Sequence, residues 1–277
     1  MVAANGEGVG VTERTVEVWD PPLQTKVFEA GSGDTVVYLH GGGGVTAADP
    51  LFEALAGRLR VIAPLHPGFV DPDDVEEIRD VHDLALYHDE LFDALGLDAV
   101  PVIGHSFGGM VAAELAAHVP GRVSKLVLAA PVGLWNDDYP MADMFTAFPF
   151  EINNLLWADP SSSEAQQAMA AMAKDFAELK VDDPMVAMLQ RVLPGLITIG
   201  KYMWPLPDKG LSRRLRRIKA PTLVVWGEKD KLIPSRYADD FVAGIPDARA
   251  DFIPDAGHMM PFERTSEFVK LVADFLA

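Results

Sequence analysis

The chain has 277 residues, 41 of them Asp or Glu and 23 Lys or Arg, for a formal net charge of −18. So acidic a surface repels a phosphate backbone or an anionic bilayer, which argues against nucleic-acid and membrane partners held by bulk charge. Hydrophobic residues make up 49% and charged residues 23%, the balance of a globular chain, and the absence of Cys removes disulfides, thiolate nucleophiles and cysteine metal sites together.

Residues 1–12, with Gly6, Gly8 and Gly10 among small neighbours, read as a loose arm, with order expected from about Arg14. No apolar run reaches 18 residues and no basic-then-apolar leader opens the chain, so the expectation is a soluble, cytoplasmic protein. Runs of β-branched and aromatic residues predict eight strands, at 15–19, 25–29, 35–40, 60–64, 100–104, 124–129, 222–226 and 250–253. From the third strand onward, helical spacing separates them, at 50–59, 80–95, 107–118, 235–243 and 264–276. Val36-Val37-Tyr38-Leu39 and Leu126-Val127-Leu128 are apolar without a break, as strands are when helices cover both faces. The expected fold is therefore α/β: a mostly parallel eight-stranded sheet with helices on both faces.

The alternation stops between Leu134 and Ile218, where the pattern is helical throughout. That stretch reads as an inserted helical lid, residues 134–218, on a core made of 1–133 and 219–277. Within it, residues 159–164 carry a capping box that opens a helix over 165–179, and Pro184 opens another. Met141, Met144, Met169, Met172, Met185, Met188 and Met203 gather here with Phe145, Phe148, Phe150, Trp157 and Trp204. Adaptable apolar side chains of this kind pack helices together, and the inward-facing ones suit a cavity for an apolar ligand.

The chemistry concentrates at Gly104-His105-Ser106-Phe107-Gly108-Gly109, where a predicted strand meets a predicted helix. Small residues two before and two after the serine let the backbone turn sharply and lift the hydroxyl above the sheet. A lone serine is a poor nucleophile and needs a base and an acid that orients it. His258 follows the last predicted strand and Asp230 the one before, so both belong at the carboxyl edge with Ser106. Glu228 and Asp255 are rival acids, but Asp255 stands three residues before His258 in a tight loop and reads as a turn residue. After the third strand, His40-Gly41-Gly42-Gly43-Gly44 frees backbone amides to approach an oxyanion, with Gly42 and Phe107 N–H as the expected donors. No Gly-Lys-Ser/Thr follows, so the loop is not a phosphate loop.

These segments, with His66-Pro67-Gly68-Phe69, Pro221-Thr222-Leu223-Val224-Val225-Trp226-Gly227 and Gly257-His258, make the chain resemble the α/β-hydrolase superfamily, in its capped branch, from about residue 25 to 276. The resemblance implies a lid after the sixth strand and no cofactor. Members that open epoxides or remove halide carry an acid where Ser106 stands. The expected activity is serine hydrolysis of an apolar, medium-sized carboxylic ester or lactone through an acyl-enzyme. Substrate contacts are expected from His40, Gly41, Gly43, His105, Met259 and, in the lid, Arg191. The alternative is hydrolysis of a carbon–carbon bond in a vinylogous diketone of the meta-cleavage type. Relatives of that kind often carry Asn before the Ser and Trp after the His, where this chain has His105 and Met259. A hydrolase-like small-molecule receptor is a further alternative, disfavoured by Gly108-Gly109 and the large lid.

The acidic run Asp71, Asp73, Asp74, Glu76, Glu77, Asp80 and Asp83 lacks the central Gly and closing Glu of a calcium loop and reads as a solvated face. His82 and His88, six apart, fall on different faces of one helix, and no metal is expected. Arg213, Arg214, Arg216, Arg217 and Lys219 likewise read as a solvated helical face. The partner is thus a small-molecule substrate, and the sequence is compatible with a monomer or a homodimer.

Overall fold

The computed structural model describes residues 10–147, 149–167 and 195–277. Eight strands build one sheet: β1 (Thr12–Val18), β2 (Leu23–Ala30), β3 (Thr35–Leu39), β4 (Arg60–Pro64), β5 (Val100–His105), β6 (Val123–Ala129), β7 (Thr222–Gly227) and β8 (Ala248–Ile253). Their spatial order is β1-β2-β4-β3-β5-β6-β7-β8. β2 runs antiparallel to β1 and β4, and the remaining pairs are parallel. β1 begins at Thr12, ahead of the expected Arg14, because its outer residues are recruited by pairing with β2 (Thr12 opposite Glu29) rather than by a buried face.

The period-2 alternation of each strand divides its side chains between two cores. Val37 and Leu39 of β3 join one, with Leu84 and Leu91 of α2 (Val81–Ala94) and Val111 and Leu115 of α3 (Phe107–His118). Val36 and Tyr38 join the other, with Leu51 and Phe52 of α1 (Pro50–Ala56) and Phe268 and Val272 of the C-terminal helix Thr265–Leu276. Both faces are covered, which is why β3 and β7 read as unbroken apolar runs. Local signals set the helix starts: Asp49 accepts from the amides of Leu51 and Phe52 ahead of Pro50, and Asp80 accepts from His82 and Asp83.

Sequence order reverses between β3 and β5. From β3 the chain crosses to β4 on one side and later returns to β5 on the other, so the carboxyl ends of β3 and β5 border a crevice at the switch point. The glycine loop leaves β3 there, and Ser106 leaves β5.

Between β6 and β7 the described residues contain helices and no strand: Pro149–Leu156, helical turns at 163–167 and 195–203, and Leu211–Arg214 running into a tight turn, Leu215–Arg217. The cap of the 163–167 turn is Ser162, whose Oγ accepts from Ala165 N at 3.2 Å, while Asp159 closes the preceding turn onto Ser161. Met141, Met203 and Trp157 are buried. Phe148, Met169, Met172, Pro184, Met185, Met188 and Arg191 lie outside the described residues.

One expectation fails here. Arg214 does not belong to a solvated face: its guanidinium grips both oxygens of Glu114, at 2.8 and 2.7 Å. Glu114 is 1% exposed on α3, a helix buried almost all round, and a carboxylate in that setting requires a bidentate cation. Arg213, Arg216, Arg217 and Lys219 do lie on the surface, although Arg217 Nε also donates to the carbonyl of Ala117.

Candidate active site

Ser106 sits on the turn between β5 and α3 with φ 54° and ψ −115°, a conformation that costs a non-glycine residue on the order of 1–3 kcal/mol. Its neighbours hold it there: Ser106 N–H donates to Ala129 O at 2.9 Å, and Met110 and Val132 amides donate to Ser106 O. The bracketing glycines are steric necessities. A Cβ on Gly104 would lie 2.4 Å from Gly108 O, and one on Gly108 would lie 2.1 Å from Leu39 O, so the end of β3 could not approach.

His258 Nε2 stands 2.9 Å from Ser106 Oγ, and His258 Nδ1 stands 2.9 Å from Asp230 Oδ2. A carboxylate only accepts, so Nδ1 carries the proton and the Nε2 lone pair faces the serine hydroxyl. Asp230 is anchored more heavily than the sequence suggested. Its Oδ1 accepts from Leu232 and Ile233 amides at 2.9 Å each, and its Oδ2 also accepts from Trp226 Nε1 at 3.1 Å. The rival acids are elsewhere: Glu228 is exposed, and Asp255 is 66% exposed and paired with Lys229.

The two loops that bring Asp230 and His258 together grip one turn between β6 and β7. Glu263, buried just beyond the histidine loop, accepts from Gly257 N at 2.8 Å and from Ala158 N at 3.1 Å. Burial pushes its carboxyl up from the usual range, against those two amides, which lower it. Lys231, next to Asp230, donates to the carbonyls of Trp157 and Ala158, and Met259 N donates to Leu156 O. Nothing in the sequence singled out Glu263. A Glu in a short helical stretch carries no signal until the fold buries it.

On the other side of Ser106, Gly41 lies so close that a Cβ there would stand 3.4 Å from Ser106 Cβ and 3.1 Å from His105 Nδ1. Gly42 abuts Ile199 of the 195–203 turns, and Gly43 is exposed. Phe107 N is the first amide of α3, at the positive end of the helix. Among the described residues, neither the Gly42 amide nor the Phe107 amide donates to a protein acceptor.

The remaining candidates divide. His105 is buried, with Nε2 donating to His258 O at 3.1 Å; burial, and then the neighbouring His258 ring, push it down to about 3, so it is a neutral brace. Met259 is half-buried beside His258. His40 is fully buried beneath the glycine loop, against His66 and Phe69, with ring centroids 4.2 and 4.6 Å away. Arg191 lies outside the described residues. Among the described residues no group of three or more His, Asp or Glu could hold a metal ion, and no helix is long and apolar enough to cross a membrane.

Two curated relatives are each 32% identical to the chain over 265 residues, covering 90% of both partners. One is a 2-hydroxy-6-oxononadienedioate/2-hydroxy-6-oxononatrienedioate hydrolase of Comamonas testosteroni, and the other a 2-hydroxy-6-oxo-6-phenylhexa-2,4-dienoate hydrolase of Burkholderia cepacia. Among solved structures, a serine hydrolase involved in carbazole degradation superposes with a TM-score of 0.76 at 23% identity, covering 96% of this chain and 99% of its own, a likeness of fold. Residues 36–271 match the sequence profile of the alpha/beta hydrolase family. The chain is a hydrolase and belongs to the alpha/beta hydrolase family.

Proposed function

We propose that this chain is a serine hydrolase that cleaves a carbon–carbon bond in a 2-hydroxy-6-oxo-dienoate, a ketone joined through conjugated double bonds to an enol acid. The observation that carries the substrate class is the 32% identity, over 90% of the chain, with two hydrolases named for such dienoates. It favours the carbon–carbon reading over the ester or lactone that the sequence motifs put first.

In this reading the substrate reacts as its 2-oxo tautomer, with a CH₂ beside the ketone. Ser106 Oγ adds to the ketone carbon while its proton passes to His258 Nε2, across the 2.9 Å bond already in place. Asp230 holds the imidazole in the required tautomer and stabilises the imidazolium that forms. Gly42 and Phe107 amides receive the oxyanion, each worth roughly 10²–10³ in rate if it behaves like a measured oxyanion donor. The bond between the ketone carbon and the CH₂ then breaks. Its electron pair runs through the alkene into the 2-oxo group, and the resulting dienolate takes the proton from His258. Water, activated by His258, opens the acyl-enzyme and releases a carboxylic acid. Inside a lid spanning 134–218, Arg191 would meet the substrate's carboxylate.

The test is turnover of 2-hydroxy-6-oxo-6-phenylhexa-2,4-dienoate by the purified protein, followed as loss of the conjugated chromophore and formation of benzoate, beside a Ser106→Ala control. Turnover that vanishes in the control is expected. Hydrolysis of p-nitrophenyl esters without any cleavage of the dienoate would return the assignment to an esterase, and full activity of Ser106→Ala would overturn the nucleophile.

A further inference from the structure

Three buried imidazoles from separate elements meet under the glycine loop: His40 after β3, His66 after β4, and His88 of α2, all at most 1% exposed. Their protons can be placed by elimination. His66 Nε2 lies 3.1 Å from the His40 carbonyl oxygen, which only accepts, so His66 is protonated on Nε2 and its Nδ1 is an acceptor. His88 Nε2 stands 2.9 Å from that Nδ1 and must be the donor, which leaves His88 Nδ1 a buried lone pair with no hydrogen-bond partner among the described residues. The main-chain N–H of His66 donates to His40 Nε2 at 3.1 Å, so His40 carries its proton on Nδ1 and donates it to Gly41 O at 2.7 Å. An imidazolium at His66 would force the His88 proton onto Nδ1, a buried position with no acceptor among the described residues, and burial drives His66 well below its usual range and His88 down to about 3.

Two consecutive carbonyls of the loop are therefore fastened, His40 O by His66 and Gly41 O by His40, the latter also accepting from Gly44 N at 3.1 Å. Gly41 O and Gly42 N belong to one planar trans peptide, so fixing the carbonyl fixes the N–H, which points the opposite way. Between two glycines such a peptide would otherwise rotate at little steric cost. We infer that His40, His66 and His88 form a strut of locked neutral tautomers that aims the Gly42 amide at the oxyanion, which makes His40 and His66 positioning residues for the reaction. The inference rests on the reading of Gly42 as an oxyanion donor and extends it to residues that never touch substrate.

The test has a spectroscopic arm and a kinetic arm. In the full chain labelled with ¹⁵N at histidine, resonances assigned by single substitutions should show His40 protonated on Nδ1, and His66 and His88 on Nε2, at pH 7. An imidazolium or an Nδ1 proton at His66 would overturn the strut. In kinetics, kcat should fall in the order His40→Phe, then His66→Leu, then His88→Phe, the first by roughly 10- to 100-fold, less than outright loss of a donor, with KM changed less than about threefold. His66→Gln keeps an N–H able to reach the His40 carbonyl and should recover most of the His66→Leu loss. Losses that track melting temperature instead of this order, or Gln no better than Leu, would reduce the cluster to packing. Covalent labelling of wild-type Ser106 by a fluorophosphonate separates the two levels. Failure to label would sink the serine mechanism, whereas normal labelling with His40→Phe at full kcat would sink the strut alone.

Discussion

The loops on either side of Ser106 are fastened by opposite chemistry. On the β7–β8 side, carboxylates hold the backbone: Asp230 takes the amides of Leu232 and Ile233, and Glu263 takes those of Gly257 and Ala158. On the β3 side, the carbonyls of His40 and Gly41 are held by imidazoles. The division follows the charge that the proposed reaction develops. An imidazolium grows at His258, and a carboxylate beside it is stabilising. An oxyanion grows between Gly42 and Phe107, where a carboxylate used as a fastener would oppose it, whereas a neutral donor fixes geometry without adding negative field.

Without the nucleophile neither the imidazolium nor the oxyanion forms. Ser106→Ala should lower kcat on the order of 10⁴- to 10⁶-fold while leaving the melting temperature at or above that of the wild type, since it removes one hydroxyl from a partly exposed turn. Asp230→Asn comes next, at roughly 10⁴-fold in kcat. The amide keeps an oxygen for Leu232 and Ile233, but its NH₂ faces His258 Nδ1 and favours the wrong tautomer. Asp255→Asn, on the exposed partner of Lys229, should leave kcat within about twofold. If those two results were exchanged, the acid would have been assigned to the wrong loop.

A smaller effect probes the structural half of the carboxylate side. Glu263→Ala leaves two inward amides without an acceptor, at about 1–3 kcal/mol each, and should lower the melting temperature by several degrees. Because those amides tie the histidine loop to residues 156–158, kcat should fall with it, and Glu263→Gln, which keeps one acceptor oxygen, should be intermediate. Thermal unfolding monitored beside kcat would decide, and an unchanged melting temperature would mean that the turn is held by Lys231 and Met259 alone.

How much of this was legible beforehand follows from where the partners lie. The eight strands and the covering helices were readable because each is a local pattern, and Ser106, Asp230 and His258 because each sits at a fixed place after a strand. The histidine strut was not. Its three rings come from the loops after β3 and β4 and from α2, and along α2 alone His82 and His88 merely diverge: His82 turns to His118, and His88 runs inward to His66. Arg214 misled for the same reason. Its helix looks solvated until Glu114, one hundred residues earlier, is seen to be held by it through both oxygens. Ion pairs and hydrogen bonds at that separation depend on tertiary packing, which periodicity does not encode.

The loop that starts at His40 ends in a feature that runs against the division, Asp49, a carboxylate on the oxyanion side. It serves as N-cap of α1, and burial pushes its carboxyl up to about 6 despite the Phe52 and Leu51 amides that lower it. A folded-state value above the unfolded 3.8 means that between the two the native chain holds a proton the unfolded chain has released. The stability contributed by this group is therefore whole below about pH 4 and declines as pH rises through about 6. Above that, the penalty of a buried charge is fully present. Asn caps a helix as well as Asp and bears no charge. Asp49→Asn should therefore leave the melting temperature unchanged near pH 4 and raise it by about 3 °C at pH 7.5, flattening the profile between. A fall at pH 7.5 would show that the ionised carboxylate is a net asset to the start of α1, and that the oxyanion side tolerates negative charge as long as it is turned into a helix.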